Sequence, residues 1–396
     1  MGLVIPVILF LIGLVFLIKG GDWFVDAATG IAHRFHIPEI LIGATVVSIG
    51  TTLPEVMVSA TGAIQGEGAM AYGNAIGSII CNTALVSALT IAIRPSGVDR
   101  KTLFFPTTFF FCAAGFYAFV AYFFGRFARW TGIVLLLAFI AYMVTLAVQA
   151  IRSRGEDESS ATSADEGSAE NESSSGKDFV GYLIVAAGFI ITQIINIAIS
   201  GFLPEAQGPI AIAGFYLNGA LGIIFLVIGV LKVLLHGDVK VLSSNLLVLI
   251  LGAAVIAIGA TLLVDNGTII AEKLGVPSSV IALTFVALGT SLPELVTAIT
   301  SLLKGHSALS LGNIIGANIF NLVLVSGTSV SIAPFNVPAE KVIGGMNASF
   351  IVDIPVMFAV MALMTIPALI RGKLSRWQGI TLVGIYMAFC IFQFAV

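Results

Sequence analysis

The chain has 396 residues, 58% of them apolar and only 10% charged, with a mean hydropathy of +1.08. A soluble domain carries about a quarter charged residues, so this balance excludes a soluble globular protein and points to an integral membrane protein. The net charge of -3 reflects seven acids within 155–176, and no basic patch interleaved with aromatics offers a nucleic-acid footprint.

The N-terminal run MGLVIPVILFLIGLVFLIK has no basic leader and no small-residue cleavage site, so it reads as a first spanning helix and not as a removed signal peptide. Runs long enough to span follow at roughly 3–27, 37–64, 70–93, 103–124, 130–150, 179–201, 210–234, 244–266, 277–302, 307–332, 350–370 and 377–396. That predicts an all-α, multi-pass protein of about twelve transmembrane helices. Cys81, Cys112 and Cys390 lie in apolar segments without CxxC spacing and read as reduced packing residues. The Phe-rich stretch 104–120 reads as core or lipid-facing surface. Residues 153–177, SRGEDESSATSADEGSAENESSSGK, read as a disordered acidic linker, without the spacing of an EF-hand. The domain order is then a first half at 1–152, the linker, an extra helix pair at 178–236, and a second half at 243–396.

A long internal repeat organises these elements. GTTLPE ending at Glu55 recurs as GTSLPE ending at Glu294, a shift of 239 residues. Without a gap, the same shift lays Gly73, Asn74, Ile76, Gly77 and Asn82 on Gly312, Asn313, Ile315, Gly316 and Asn321, and Asp26 on Asp265. The repeated segments span about 37–93 and 277–332. If loops alternate sides, thirteen Lys and Arg residues fall on one side and four on the other. The positive-inside rule makes the first side cytoplasmic, with the linker, and puts both termini outside a cell membrane. Five helices per half plus an inserted pair means that the halves enter the membrane in opposite directions. Such an inverted-topology repeat carries its substrate site near the midplane, where the halves meet.

Pro54 and Pro293 interrupt otherwise continuous helices, so each helix should break there and leave carbonyls around Ser48–Thr51 and Ala287–Thr290 without helical partners. Glu55 and Asn82 are 27 residues apart, as are Glu294 and Asn321, with the turn near the middle of each interval. Each residue thus lies on the order of 20 Å from its turn, at a common depth in the bilayer. Two inverted copies bring the four together. No Lys or Arg occupies the body of these helices, so the carboxylates must hold protons or bind cations. Glu55, Glu294, Asn82 and Asn321, with hydroxyls of Thr51, Thr52, Thr290, Ser291 and Ser78, offer a hard cation many oxygens, calcium with sodium as competitor. An empty site of charge -2 is costly to seal from water, whereas one Ca²⁺ or two or more Na⁺ neutralise it. Asn74 and Asn313, nearer the turns, read as helix–helix hydrogen bonders, and the glycines at 73, 77, 312 and 316 as close-packing positions. Asp26 and Asp265 read as structural acids at helix ends, and Asp353, before Pro355, as a helix N-terminus. HExxH, GxSxG and P-loop motifs are absent, so an enzyme is disfavoured.

The paired GT[ST]LPE and GNxIG[SA]xxxN segments resemble the two α-repeats of the sodium/calcium exchangers, within the calcium/cation antiporter superfamily. The resemblance covers both five-helix halves but neither the extra helix pair nor the linker. It implies an antiporter that needs no cofactor, transports Ca²⁺ and Na⁺, and holds its whole site within one monomer. Calcium would be ligated by Glu55, Asn82, Glu294 and Asn321. Sodium would be ligated by carbonyls of Ser48 and Ala287 and hydroxyls of Thr51, Thr52, Ser78, Thr290 and Ser291. Three positions depart from the family pattern. Ala317 stands where the family has Ser, which removes a hydroxyl from one sodium site and keeps H⁺ coupling open. Asn321 stands where potassium-dependent members carry Asp, which argues against potassium co-transport. Ile79 stands where many members have Asn, as Asn318 does in the second copy. A proton-coupled cation antiporter and a cation channel are the competing readings.

Overall fold

The structure, a computed structural model, describes residues 3–34, 38–64, 66, 68–161, 239–273, 287–339 and 342–395. The helices are α1 (Val4–Arg34), α2 (Glu39–Ile42), α3 (Ser48–Ile64), α4 (Gly68–Cys81), α5 (Ala88–Ile93), α6 (Arg100–Phe124) and α7 (Arg129–Ala161). In the second half they are α8 (Val239–Lys273), α9 (Ala287–Thr290), α10 (Leu292–Leu303), α11 (Ser307–Phe320), α12 (Ser326–Ile332), α13 (Ile354–Arg371) and α14 (Arg376–Ala395). Wider π-helical turns join several of them: π1 (Gly43–Val47) between α2 and α3, π2 (Asn82–Ser87) between α4 and α5, π3 (Asn321–Val325) between α11 and α12, and π4 (Ser349–Asp353) before α13. Among the described residues six helical segments are long and apolar enough to cross a membrane, seven if the bent α2–α3 unit counts as one span. The helices expected at 179–201 and 210–234 lie outside the described residues, as does 162–177 of the linker.

The inverted repeat is visible in how α1 packs on α8. A Cβ on Gly20 would lie 3.1 Å from the Gly252 carbonyl oxygen and 3.0 Å from the Ile256 nitrogen. A Cβ on Gly259 would lie 2.9 Å from both the Gly13 oxygen and the Leu17 nitrogen. The 239-residue shift carries Gly13, Leu17 and Gly20 onto Gly252, Ile256 and Gly259, so each contact is the symmetry mate of the other. As numbering rises along α1 its partners on α8 fall, and the two equivalent helices are therefore antiparallel. Small residues at the crossing let the backbones approach closely where apolar side chains gain nothing over lipid.

The turns of the two repeats accordingly sit at opposite ends. The turn after α10 carries Lys304, which bonds to Asp22 and Asp26 of α1, and His306, whose Nδ1 lies 2.8 Å from Glu39 Oε1. At that end Arg94 donates to the Leu302 carbonyl at 3.2 Å, and the backbone of Val98 and Leu374 ties 96–98 to 372–374. At the other end Gly68 of α4 abuts Phe335. There a two-residue strand β1 (Arg126–Phe127) pairs antiparallel with β2 (Phe335–Asn336). Of the loops in the charge count, those carrying Arg94, Lys304 and Lys373 thus meet at one end, and the one carrying Arg126 lies at the other.

Three expectations need correction. Helix α7 continues through 153–161, which the composition assigns to the linker; Glu156, Glu158 and Ala161 are good helix formers, and leaving the membrane does not end a helix. Asp26 and Asp265 lie inside α1 and α8, which extend beyond their apolar runs, and Asp26 is held by Lys304. The span that carries Pro54 is bent by 46° between Thr52 and Pro54, although α3 runs from Ser48 to Ile64, whereas the second copy is interrupted: Ser291 leaves helical geometry at φ -91°, ψ 4°, and Pro293 sits in the first turn of α10. Proline costs one backbone bond and a clash with the turn behind it, and the surrounding packing decides between a bend and a break.

Candidate cation site

Four segments carry the expected ligands: α3 (Glu55), π2 (Asn82), α10 (Glu294) and π3 (Asn321). Within each repeat the helices pair, α3 on α4 and α10 on α11. Across the repeats α3 packs on π3, α10 on π2, and α3 on α10. Both asparagines open a π-helical turn, where the helix widens and its hydrogen-bond ladder is re-registered; such turns recur at functional positions. In the second copy the Ser326 hydroxyl donates to the Asn321 carbonyl at 3.1 Å, which secures that turn.

Glu55, Asn82, Glu294 and Asn321 are each 0% exposed, and none of their side-chain oxygens or amide nitrogens has a hydrogen-bond partner. The hydroxyls of Thr52 and Ser291 are buried and unpartnered in the same way. These six residues form three pairs under the 239-residue shift: Glu55 with Glu294, Asn82 with Asn321, Thr52 with Ser291. Buried polar groups are nearly always satisfied, and an uncompensated buried ion costs several kcal/mol. The two carboxylates are near enough to repel one another, and Thr51 and Thr52 lie in the vicinity of Glu294. The basic residue nearest to these segments in sequence, Lys304, is engaged with α1. A donor set of carboxylate, amide and hydroxyl oxygens fits a hard cation carried as substrate. Among the described residues no group of three or more His, Cys, Asp or Glu gathers as a softer metal would require.

The remaining expected residues surround this core. The Ser48 hydroxyl donates to the Gly43 carbonyl at 2.7 Å and lies 2.9 Å from the Asn313 carbonyl, and Thr51 donates to Asn313 Oδ1 at 3.2 Å. Asn313 thus joins the second repeat to the first. Asn74 Nδ2 donates to the Glu55 carbonyl at 3.1 Å and to Ser59 at 2.7 Å, holding α4 on α3. Both amides act as helix–helix hydrogen bonders, as their distance from the ligand level implied. Gly312 and Gly316 serve close packing: a Cβ on Gly312 would fall 2.2 Å from the Ile40 oxygen, and one on Gly316 would fall 2.7 Å from Ala44 Cα. The residues that the 239-residue shift pairs with Ile40 and Ala44, at 279 and 283, lie outside the described residues. Ser78 is buried, Ala317 stands fully buried at the equivalent position, Thr290 is partly buried, and Ala287 belongs to α9, on the N-terminal side of the helix break.

Sequence reasoning missed two features. Thr297 and Ser301 are 0% exposed with unpartnered hydroxyls, three and seven residues beyond Glu294 on the same helix face; their helical spacing could have flagged them. Asn318 and Thr83, buried beside the ligand asparagines, are joined by a 2.7 Å hydrogen bond, and only the tertiary crossing reveals it.

The sequence profile of the sodium/calcium exchanger protein family matches residues 5–148 and 244–395, both halves and nothing between them. The chain belongs to that family. Over 98% of either chain it is 29% identical to the sodium/calcium exchanger MaX1 of Methanosarcina acetivorans. It is also 29% identical to the inner membrane protein YrbG of Escherichia coli, over 82% of this chain and 79% of that one. A solved structure of the sodium-calcium exchanger NCX_Mj, soaked with Na⁺ and Sr²⁺, superposes with a TM-score of 0.67 at 25% identity, covering 98% of each chain. This family member is therefore an all-helical membrane antiporter built on the inverted repeat, and its buried oxygen cluster lies within the matched halves.

Proposed function

We propose that the protein is a secondary antiporter that exchanges Ca²⁺ for Na⁺ by alternating access. Glu55, Glu294, Asn82 and Asn321 ligate calcium. Sodium takes the carbonyls of Ser48 and Ala287 and the hydroxyls of Thr51, Thr52, Ser78, Thr290 and Ser291. The observation that carries this reading is the symmetric set of buried, unpartnered ligand atoms, contributed equally by the two repeats. The names of the relatives, with sodium and calcium in them, point the same way. Loaded, the site is neutral and can be sealed from water; empty, its two negative charges oppose closure. Reorientation then occurs only with cargo, and the cycle is exchange and not leak.

The orientation that suits this cycle puts the Lys- and Arg-rich ends of the helices, and the 153–177 segment, in the cytoplasm, and the termini outside a cell membrane. One polypeptide holds the whole site. The halves are 1–152 and 243–396, with 178–236 as an added helix pair.

A second reading, a proton-coupled cation antiporter, draws on one observation: Ala317 supplies no hydroxyl where its mate Ser78 does. Uptake of radiolabelled Ca²⁺ into proteoliposomes decides between them. The expected result is uptake driven by an outward Na⁺ gradient and unaffected by a protonophore, and a fall of roughly 100-fold for Glu55→Gln or Glu294→Gln, on the scale of leaving a buried charge uncompensated. Full exchange in either variant would remove the site assignment. Currents far above carrier turnover, without a counter-ion, would make the protein a channel.

A further inference from the structure

The contact between the two asparagine-bearing segments is polar on one side of the internal two-fold and apolar on the other. On the polar side Asn318 Nδ2, on α11, donates to Thr83 Oγ1, on π2, at 2.7 Å. The Thr83 hydroxyl donates onward to the Ile79 carbonyl at 2.8 Å. Met361 Sδ of α13 lies 3.2 Å from both Asn318 Nδ2 and Thr83 Oγ1. The 239-residue shift turns Thr83 into Leu322 and Asn318 into Ile79. These mates occupy π3 and α4, which also pack on one another, and all four residues are 0% exposed. The polar pair is thus a departure from the symmetry that governs the ligands themselves.

Its position gives it a task. Thr83 directly follows Asn82, and Asn318 precedes Asn321 by three residues, about one helical turn. The hydrogen bond therefore fixes the approach of π2 to α11, and with it the separation of two ligand amides whose own side chains make no hydrogen bond. An apolar contact is non-directional and leaves the register free to slide, whereas a buried hydrogen bond has one favourable length and angle. Asn318 Oδ1 is itself buried without a partner, so the amide is kept in the core at a cost that packing alone does not explain.

We infer that Asn318 and Thr83 are positioning residues that set the spacing of Asn82 and Asn321, and hence the affinity of the site for Ca²⁺. This rests on the reading of the site given above. The test is Ca²⁺ binding by calorimetry on the full detergent-purified chain, with Ca²⁺ KM and maximal exchange rate in proteoliposomes, for wild type, Thr83→Val, Asn318→Ala and the double variant Thr83→Leu with Asn318→Ile. Thr83→Val is nearly isosteric and removes only the hydroxyl. Thr83→Val and Asn318→Ala are each expected to weaken Ca²⁺ binding and raise KM about ten-fold, with the maximal rate within about three-fold of wild type. The double variant reproduces the apolar residue types of the symmetry mates; it is expected to keep the melting temperature of wild type without regaining its affinity. Wild-type affinity in Thr83→Val, or full recovery in the double variant, overturns the inference. If wild type itself binds no Ca²⁺, the failure belongs to the reading of the site and not to the pair.

Discussion

Lys304 Nζ lies 2.7 Å from Asp26 Oδ1 and 3.0 Å from the Asp22 carbonyl, so the turn that closes the second repeat is tied to α1. The equivalents of Lys304 and His306 in the first repeat are Gln65 and Glu67, which cannot make the same ion pairs with acids. In an inverted repeat the two access states are related by the pseudo-two-fold axis, and a tie whose charged residue types are not repeated in the first copy favours the state closed at its own end. The Asp26 side chain is 65% exposed, so solvent screens the pair and limits it to about 0.2–1 kcal/mol. Lys304→Met should therefore hardly move the melting temperature, yet increase amide hydrogen exchange across 301–311 by up to roughly five-fold. Unchanged exchange there would show that the tie does not gate this end.

Close packing at α11 supports a second prediction. The Cβ that Ala would bring to position 312 falls 2.2 Å from a backbone oxygen of α2, which cannot rotate away as a side-chain end can. Overpacking of this kind typically costs about 1–3 kcal/mol. Gly312→Ala is expected to lower the melting temperature in detergent and to weaken Ca²⁺ and Na⁺ binding together, because the whole helix that leads to Asn321 is displaced. Loss of stability with intact binding would indicate that the helices separate without moving the ligands.

The parts legible in the sequence were those fixed by spacing and by the dielectric of the membrane. The 239-residue shift singled out Glu55, Asn82, Glu294 and Asn321 as equivalent polar residues, and the fold buries all four completely. Helix ends were not legible: an apolar run measures the bilayer, while α1 continues to Arg34 and α7 to Ala161 on residues that favour helix in water as well. Nor could the sequence distinguish Pro54 from Pro293, whose local motifs are almost identical. One helix bends and the other breaks, so the difference lies in the packing around each motif. The Thr83–Asn318 bond was hidden for a related reason, since it joins residues 235 apart whose symmetry mates are apolar.

Asn313 connects the repeats through the hydroxyls of Ser48 and Thr51, and their hydrogen bonds converge on its carbonyl and amide oxygens. Asn313→Ala leaves Ser48 its bond to the Gly43 carbonyl but removes the acceptor of Thr51. A buried donor left without its partner costs about 1–3 kcal/mol. The variant is expected to melt earlier and to bind Na⁺ less tightly, through the loosened Thr51, more than it loses Ca²⁺. Equal losses for the two ions, measured by competition of Na⁺ against radiolabelled Ca²⁺, would place Thr51 outside the sodium sites.

Ala317 offers the opposite experiment, a gain. It is fully buried on α11, and its mate Ser78 carries the hydroxyl that it lacks. If that missing oxygen weakens one sodium site, Ala317→Ser restores a ligand worth about 0.5–1 kcal/mol, or roughly two- to five-fold in affinity. The half-saturating Na⁺ concentration for Ca²⁺ release should fall by that factor, and the Ca²⁺ KM in the absence of Na⁺ should stay as it was. A steeper dependence of the rate on Na⁺ concentration would indicate that the added hydroxyl creates an additional sodium site. An unchanged Na⁺ response together with a protonophore-sensitive rate in the wild type would instead assign the coupling to protons, since a hydroxyl added beside a site that never held sodium has nothing to strengthen.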